Sequence, residues 1–190
     1  MPSTTEITTQ QLSRLIGLPG SPAMVDVRTD EDYAADPRLV PGARRRDFRT
    51  AAAWIGEYAG QTVIVACQKG LKLSQGVAAL MRNDGLDAQT LEGGFEAWKA
   101  GGQLLVRTDK LPPRDERGRT AWVTRARPKV DRIACPWLIR RFIDPKAVFL
   151  FVAPSEVLPV AERFHATPFD IDGVFWSHRG ETCTFDTMLE

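Results

Sequence analysis

The most constraining feature of this sequence is an apolar strand that runs directly into a cysteine and then into a helix. The strand is predicted over residues 61–66, the cysteine is Cys67, and an amphipathic helix is predicted over 74–81. Strand and helix patterns alternate through the first hundred residues, and the first strand is predicted over 23–28. This order predicts an α/β fold, with a parallel sheet and helices on both faces.

Apolar spacing and cap residues predict several further elements in the first half of the chain. Helices are expected over residues 8–16, 51–58 and 91–98, and Thr50 is expected to cap the second of them. A basic strand is expected to run through residues 46–48.

Cys67 lies where α/β sheets bind ligands, at the carboxyl end of a central strand. The helix that follows offers free backbone N–H groups and the positive end of its dipole, which stabilise an anion such as a thiolate. Lys69 and Lys72 add positive charge, and Gly70 lets the loop curl so that N–H groups converge on the sulfur. The pattern predicts a nucleophile, and the alternative is a small buried residue at a strand end.

Residues 67–72 resemble the six-residue active-site loop of rhodanese-type sulfurtransferases, which the cysteine opens. Further motifs resemble the same family in the same order, so that the likeness covers about residues 5–105; they lie at residues 25–28 with 31–33, at 40–43 and at 91–98. Leu39 departs from the family pattern, which often has a histidine at that position.

The rhodanese resemblance implies transfer of sulfane sulfur without a cofactor. Thiosulfate or a persulfide donor would leave one sulfur on Cys67, and a thiol or cyanide would remove it. Donor binding is implied for the loop and, less directly, for Arg28, whose alternative is an ion pair with Glu31 or Asp32. The loop residues concerned are Gln68, Lys69, Gly70, Leu71 and Lys72.

A charged, proline-containing stretch over residues 107–120 is predicted to link a first domain, 1–106, to a second, 121–190. In the second domain, apolar residues at helical intervals predict an amphipathic helix whose basic face is solvated, in preference to one that binds DNA. These residues are Ile133, Trp137, Leu138 and Phe142.

The second domain resembles the C-terminal domain of the bacterial chromate-resistance family, over residues 127–145, 168–171 and 178–186. A helix predicted to begin near Thr184 has no stop signal, and the family continues with a helical portion, so we expect a smaller, truncated α+β segment. The resemblance implies a chromate or oxyanion stress context. It also leaves open a second function, a chromate-responsive sensor or transcriptional regulator that binds the oxyanion with the cysteine loop.

Polar side chains with metal-binding chemistry are frequent in the second domain. They are Asp131, Cys135, His178, Glu181, Cys183, Asp186 and Glu190. A thiolate, an imidazole and a carboxylate can hold a metal, and His178, Cys183 and Asp186 are the candidates. Their spacing matches no standard zinc motif, so we predict no metal, and a structural Cys183 is the alternative.

Charge and cysteine content narrow the class of protein. The 190 residues include 25 Lys and Arg against 24 Asp and Glu, a net charge of +1 that gives no general reason to expect nucleic-acid binding. Three cysteines suit free thiols in a reducing cytoplasm. No apolar run approaches the roughly 20 residues of a membrane span, and no secretory signal is visible. We expect a cytoplasmic protein that binds a small sulfur-containing anion and an acceptor thiol or protein, with DNA less favoured and no membrane contact.

Overall fold

The computed structural model describes residues 5–127 and 129–189 and divides the chain into two compact units. The first unit ends at Asp109 and the second begins at Lys110. Glu190, one of the polar residues singled out above, lies outside the described residues.

The first unit is built around a five-stranded sheet in which every pairing is parallel. The strands are β1 (Glu6–Ile7), β2 (Ala23–Asp26), β3 (Arg38–Leu39), β4 (Ala43–Arg45), β5 (Thr62–Ala66), β6 (Asp87–Leu91) and β7 (Val106–Arg107). The helices are α1 (Thr9–Leu15), α2 (Asp30–Ala35), α3 (Ala51–Trp54), α4 (Lys72–Asn83) and α5 (Gly94–Ala100), with 3₁₀ turns at Phe48–Thr50 and Ile55–Tyr58. The sheet order is β1-β6-β5-β2-β4, and β3 pairs with β7 in a separate antiparallel ribbon.

Alternate side chains of β5 enter separate hydrophobic cores on the two faces of this sheet. Val63 and Val65 belong to the core that includes residues of α3 and α4, whereas Ile64 and Ala66 belong to the core that includes residues of α1 and α5. A parallel strand covered on both faces is a continuous apolar run, which is why β5 is so clear in the sequence. The predicted parallel sheet with helices on both faces is confirmed.

Two predicted elements of the first unit differ from the structure. Leu91, expected in a helix, ends β6, a strand whose polar sequence hides it. Phe48, expected in a strand, lies in a 3₁₀ turn, because the Asp47 side chain accepts a hydrogen bond from the Arg49 N–H at 2.9 Å and turns the chain. The side chain of Thr50 makes no cap hydrogen bond to α3.

The second unit alternates strand and helix, so it is α/β where an α+β segment was expected. Its elements are β8 (Ala121–Arg125), α6 (Val130–Leu138) continued by a π-helical turn (Ile139–Ile143), β9 (Val148–Val152), a 3₁₀ turn (Pro154–Glu156), α7 (Val157–Phe164), β10 (Thr167–Pro168) and α8 (Thr184–Leu189). The sheet order is β10-β8-β9. Both pairings are parallel, since α6 and α7 bring the chain back to the end of the sheet where each strand starts. In the described part of the chain, no helix is long and apolar enough to cross a membrane.

The helix predicted in the basic stretch is present as α6, and Leu138 is buried as expected, but the buried face is otherwise a different one. Cys135 is fully buried and Arg132 is 7% exposed, whereas Ile133 and Trp137 are 61% and 49% exposed. The reason is an ion pair inside the unit: the Arg132 Nε lies 2.8 Å from an oxygen of the buried Asp170. That pair turns a charged residue inward and rotates the apolar residues outward.

The charged stretch over 107–120, expected to be a linker, is shared between the units. Arg107 belongs to β7 in the first unit. In the second unit, Arg114 and Thr120 form an antiparallel bridge, and both contact the buried Asp144 carboxylate, the Thr120 N–H at 2.6 Å and the Arg114 guanidinium at 3.2 Å. These contacts order a charged turn that has no apolar period in the sequence.

Candidate active site

Cys67 lies at the carboxyl end of β5 and is 4% exposed. Its Sγ is 3.2 Å from the Ser74 Oγ, and Ser74 is fully buried. The Ser74 hydroxyl also reaches the Leu71 carbonyl, at 3.1 Å, and when it donates there it can accept a hydrogen bond from the Cys67 S–H. When that proton leaves, the same hydroxyl can turn and donate to the sulfur, which makes Ser74 a switchable partner of a thiol and a thiolate.

The contact with Ser74 brings the sulfur to the first turn of α4. The first hydrogen bond of that helix runs from the Gln75 N–H to the Leu71 carbonyl at 2.9 Å. The N–H groups of Lys72, Leu73 and Ser74 therefore have no acceptor within the helix. Free N–H groups and the positive end of the helix dipole favour an anion at this position.

The start of α5 holds the loop in place. The Phe95 N–H donates to the Cys67 carbonyl at 2.9 Å, and the Glu96 N–H donates to the Gln68 carbonyl at 3.0 Å. A Cβ at Gly70 would lie 2.8 Å from the Gly94 nitrogen, a distance that real Cβ atoms do not show. The loop thus needs glycine where it meets α5.

The requirement for glycine is mutual. Gly94 has φ +61°, and a Cβ there would collide with the Cys67 carbonyl oxygen and the Gly70 nitrogen. Gly93 has φ +65°. The double glycine after β6 and the cysteine loop are therefore two halves of one backbone contact.

The remaining loop residues surround the cysteine with two cations and an apolar surface. Lys69 and Lys72 are exposed, and Leu71 is 57% exposed. The Gln68 amide donates to the Glu96 carboxylate at 3.2 Å. The structure brings all five predicted donor-binding residues into one loop with Cys67, and their roles toward a donor stay predictions.

Arg28, the other predicted donor-binding residue, is buried and fully engaged inside the first unit. Its Nε donates to an Asp26 carboxylate oxygen at 2.8 Å, and its terminal nitrogens donate to the carbonyls of Asp36 and Arg38. Its guanidinium carbon lies 3.8 Å from the centre of the Phe95 ring, next to the start of α5. This geometry favours the structural alternative, with Asp26 as partner instead of the acidic residues of α2.

The other two cysteines differ from Cys67. Cys135 is fully buried in the core of the second unit, and burial raises the pKa of its thiol to about 12, with the carboxylates of Asp131 and Asp170 adding to the shift. It therefore stays a protonated thiol over the physiological pH range. Cys183 is partly buried, and its backbone N–H donates to the Asp186 carboxylate at 3.0 Å.

The three metal candidates from the sequence do not come together as one ligand set. Asp186 is a local hydrogen-bond partner of Cys183, and hydrogen bonds from Cys183 lower the pKa of this carboxyl. His178 lies instead beside Asp131 and Asp170. Sequence reasoning missed Asp170 as a member of this cluster and Ser74 as the partner of Cys67; the position of Ser74 in the first turn of α4 is a signal that could have found it.

Comparison with known families gives the class of each unit. The model of the rhodanese-like domain matches residues 8–101, and the model of the ChrB C-terminal domain matches residues 122–190. The chain thus contains a rhodanese-like domain followed by a ChrB C-terminal domain. Both family resemblances seen in the sequence are confirmed.

Individual relatives match parts of the chain. Protein ChrB of Cupriavidus metallidurans is 44% identical over 68 residues, which is 36% of this chain and 20% of the relative, so the match spans about a fifth of its length. A thiosulfate sulfurtransferase from Pseudomonas aeruginosa is 23% identical, with 58% of this chain and 21% of that chain covered and a TM-score of 0.49. A rhodanese-related protein from Thermoplasma volcanium is 17% identical, with 54% and 97% covered and a TM-score of 0.47.

Proposed function

We propose that the rhodanese-like unit is a sulfurtransferase that carries sulfane sulfur on Cys67. The observation that most supports this is the position of the sulfur, 3.2 Å from the Ser74 hydroxyl at the first turn of α4. A buried sulfur beside free N–H groups and a hydroxyl that changes between acceptor and donor suits a group that alternates between thiol, thiolate and persulfide.

The proposed reaction has two displacements at sulfur. The Cys67 thiolate attacks the outer sulfur of thiosulfate, a new S–S bond forms, the S–S bond of the donor breaks, and sulfite leaves with the electron pair. A thiolate or cyanide acceptor then attacks the terminal sulfur of the persulfide. That S–S bond breaks, and the Cys67 thiolate is restored. Neither step needs an external oxidant or reductant, and a persulfide donor follows the same course with its own thiolate as the leaving group.

The charge around the loop supports an anionic donor. Lys69 and Lys72 are exposed, so their ammonium groups can approach a donor in solvent while the backbone N–H groups receive it at the sulfur. Attraction between exposed charges is screened over about 10 Å at 0.1 M salt. Lysine-dependent donor capture should therefore weaken as the salt concentration rises.

A chromate or oxyanion stress context is part of this proposal, and it rests on the resemblance of the second unit to chromate-resistance proteins. One chemical argument favours the second candidate function, a chromate-responsive regulator. Chromate and thiosulfate are both tetrahedral dianions, and N–H groups at a helix N-terminus would accept either one. In this alternative, the loop binds the oxyanion and no sulfur is transferred.

Steady-state transfer from thiosulfate to cyanide tests the proposal. Cys67→Ser should abolish turnover, and Lys69→Met should raise the KM for thiosulfate severalfold at low salt with little change in kcat. Lys146→Met, at an exposed lysine of the second unit, is the matched control and should behave like the wild type. Turnover that survives in Cys67→Ser would refute the sulfurtransferase, and chromate-dependent DNA binding by a chain without transfer activity would favour the regulator.

A further inference from the structure

In the second unit, three side chains with metal-binding atoms converge from different segments of the chain. Asp131 comes from the first turn of α6, Asp170 from the loop after β10, and His178 from the loop before α8. One ligand atom of each lies within 4.8 Å of the other two. None of these residues takes part in the proposed sulfur transfer.

The hydrogen bonds around this cluster fix the tautomer of His178. The Thr184 Oγ1 donates its single proton to the Asp170 Oδ1 at 3.0 Å. The His178 Nδ1 lies 3.1 Å from the same hydroxyl oxygen, so Nδ1 must be the donor in that contact. A neutral His178 then carries its lone pair on Nε2.

This tautomer leaves two lone pairs facing each other. The His178 Nε2 is 3.5 Å from the Asp131 Oδ2, and both atoms are acceptors when the ring is neutral. The Thr184 N–H donates to that carboxylate oxygen at 3.3 Å. A cation between Nε2 and Oδ2 would convert the repulsion into two bonds.

The second carboxylate of the cluster, that of Asp170, is held in place by its neighbours. Asp170 is 4% exposed, and its Oδ2 lies 2.8 Å from the Arg132 Nε. Its Oδ1 faces His178, with the Nδ1 at 3.8 Å. Metal-binding carboxylates and histidines are usually oriented by outer polar contacts, which here are the ion pair with Arg132 and the hydrogen bond from Thr184.

We propose that Asp131, Asp170 and His178 bind a divalent first-row transition-metal ion, with Zn²⁺ as its simplest representative. Tetrahedral ligands at zinc bond lengths lie about 3.3 Å apart. The 3.5 Å between the His178 and Asp131 atoms already approaches that separation. His178 is 59% exposed and Asp131 is 12% exposed, so small movements of these side chains can close the site around an ion.

The donor set indicates which ions fit. An imidazole nitrogen favours zinc and its neighbours over Mg²⁺ and Ca²⁺, which prefer all-oxygen sites. Three protein ligands leave a coordination position for water or another small ligand. Cys183 is outside this set. Its thiol is a hydrogen-bond neighbour of the Asp186 and Asp131 carboxylates, a contact that a serine hydroxyl at this position can also make.

Titration of the metal-free full-length chain with Zn²⁺, after removal of any histidine tag, tests the proposal. The wild type should bind one equivalent, and Mg²⁺ should not compete. Asp131→Asn and His178→Asn should each weaken Zn²⁺ binding at least about tenfold, the lower end of the loss seen for outer-shell partners alone. The asparagine amide at 178 can still donate to Thr184 in place of Nδ1, so the variant removes Nε2 and little else.

Matched controls separate this site from adventitious binding. His165 is exposed and has φ +50°, which asparagine also tolerates, and Asp172 is exposed two residues from Asp170. His165→Asn, Asp172→Asn and Cys183→Ser should bind Zn²⁺ like the wild type. No binding by the wild type, equal losses in the controls, or loss in Cys183→Ser with retention in His178→Asn would overturn the site.

Discussion

Gly70 and Gly94 exclude each other's side chains. A Cβ at Gly70 would lie 2.8 Å from the Gly94 nitrogen, and a Cβ at Gly94 would collide with the Gly70 nitrogen. The cysteine loop therefore has its shape only because the chain at the start of α5 comes into direct backbone contact with it. Two motifs that are separate in the sequence are therefore in direct contact in the fold.

The first prediction concerns this contact. Gly94→Ala should lower the free energy of unfolding of the first unit by about 1–3 kcal/mol, because a side chain at φ +61° is strained and also collides with the loop. Gly76→Ala is the control: it lies in α4 with open space around it and should raise that free energy by about 0.5–1 kcal/mol. Hydrogen exchange of β5 amides as a function of urea concentration measures the free energy of unfolding of the first unit alone. Equal stability of the two variants would contradict the contact.

The second prediction concerns the partner of the sulfur. Ser74→Ala should slow both alkylation of Cys67 and sulfur transfer by about 3- to 10-fold, the equivalent of one hydrogen bond of about 1 kcal/mol. Ser13→Ala is matched to it, since each hydroxyl donates to a carbonyl three residues earlier, but Ser13 lies in α1. A Ser74→Ala chain that reacts at the wild-type rate would show that the hydroxyl does not assist the sulfur.

Much of the first unit could be predicted because its signals are local. The cysteine loop could be predicted because its parts are consecutive in the sequence: the apolar run of β5, then Cys67, then the helix that follows. Strand β6 could not be predicted, because its exposed and half-buried polar residues break the apolar pattern. The contact between Gly70 and Gly94 joins positions that are distant in the sequence, so no local pattern predicts it.

The second unit was harder to predict because a buried charge decides the orientation of α6. Helical spacing correctly predicts a helix and the burial of Leu138, but it also assigns Ile133 and Trp137 to the core, and both are exposed. The pairing of Arg132 with Asp170 depends on a residue beyond β10, so no local pattern contains it. The same long-range contact brings together the carboxylates of the proposed metal site.

The third prediction tests that buried pair. Arg132→Met should destabilise the second unit by about 3 kcal/mol, because it removes the nearer cation of the buried Asp170 carboxylate and leaves only the Arg125 guanidinium, at 3.7 Å. Ile133→Ser should change stability by less than about 0.5 kcal/mol, since this side chain is 61% exposed. Hydrogen exchange of β8 amides measures the free energy of unfolding of the second unit in both variants. If Arg132→Met does not fold, the double variant Arg132→Met with Asp170→Asn should recover folding. A larger loss of stability in Ile133→Ser than in Arg132→Met would refute the orientation of α6.

The fourth prediction concerns acid stability. The Asp36 carboxylate accepts from Arg38 at 2.7 Å and from Lys99 at 2.6 Å, and the Arg38 hydrogen bond, joined by that of Lys99, holds the pKa of this carboxyl well below its usual range. A pKa that is lower in the folded state stabilises the fold above the unfolded value of about 3.9, and the benefit is lost as the pH falls below it. Asp36→Asn should cost about 1 kcal/mol at neutral pH.

As the pH falls from about 4 toward the lowered folded-state pKa of Asp36, the difference between the wild type and Asp36→Asn should shrink progressively, since the unfolded chain takes up a proton before the folded one. Asp84→Asn, at an exposed carboxyl near the end of α4, serves as the control and should change the unfolding free energy little at any pH. Urea unfolding as a function of pH makes the comparison. A constant difference between wild type and Asp36→Asn down to acid pH would contradict the assignment.

The most direct test of sulfur transfer through Cys67 is peptide mass analysis after incubation with thiosulfate. The Cys67 peptide should gain one sulfur atom, lose it on treatment with cyanide, and gain nothing in Cys67→Ser. The partly buried Cys183 provides an internal comparison within the same chain. An unmodified Cys67 peptide with thiosulfate and persulfide donors alike, or sulfur on Cys183 instead, would contradict the proposed function.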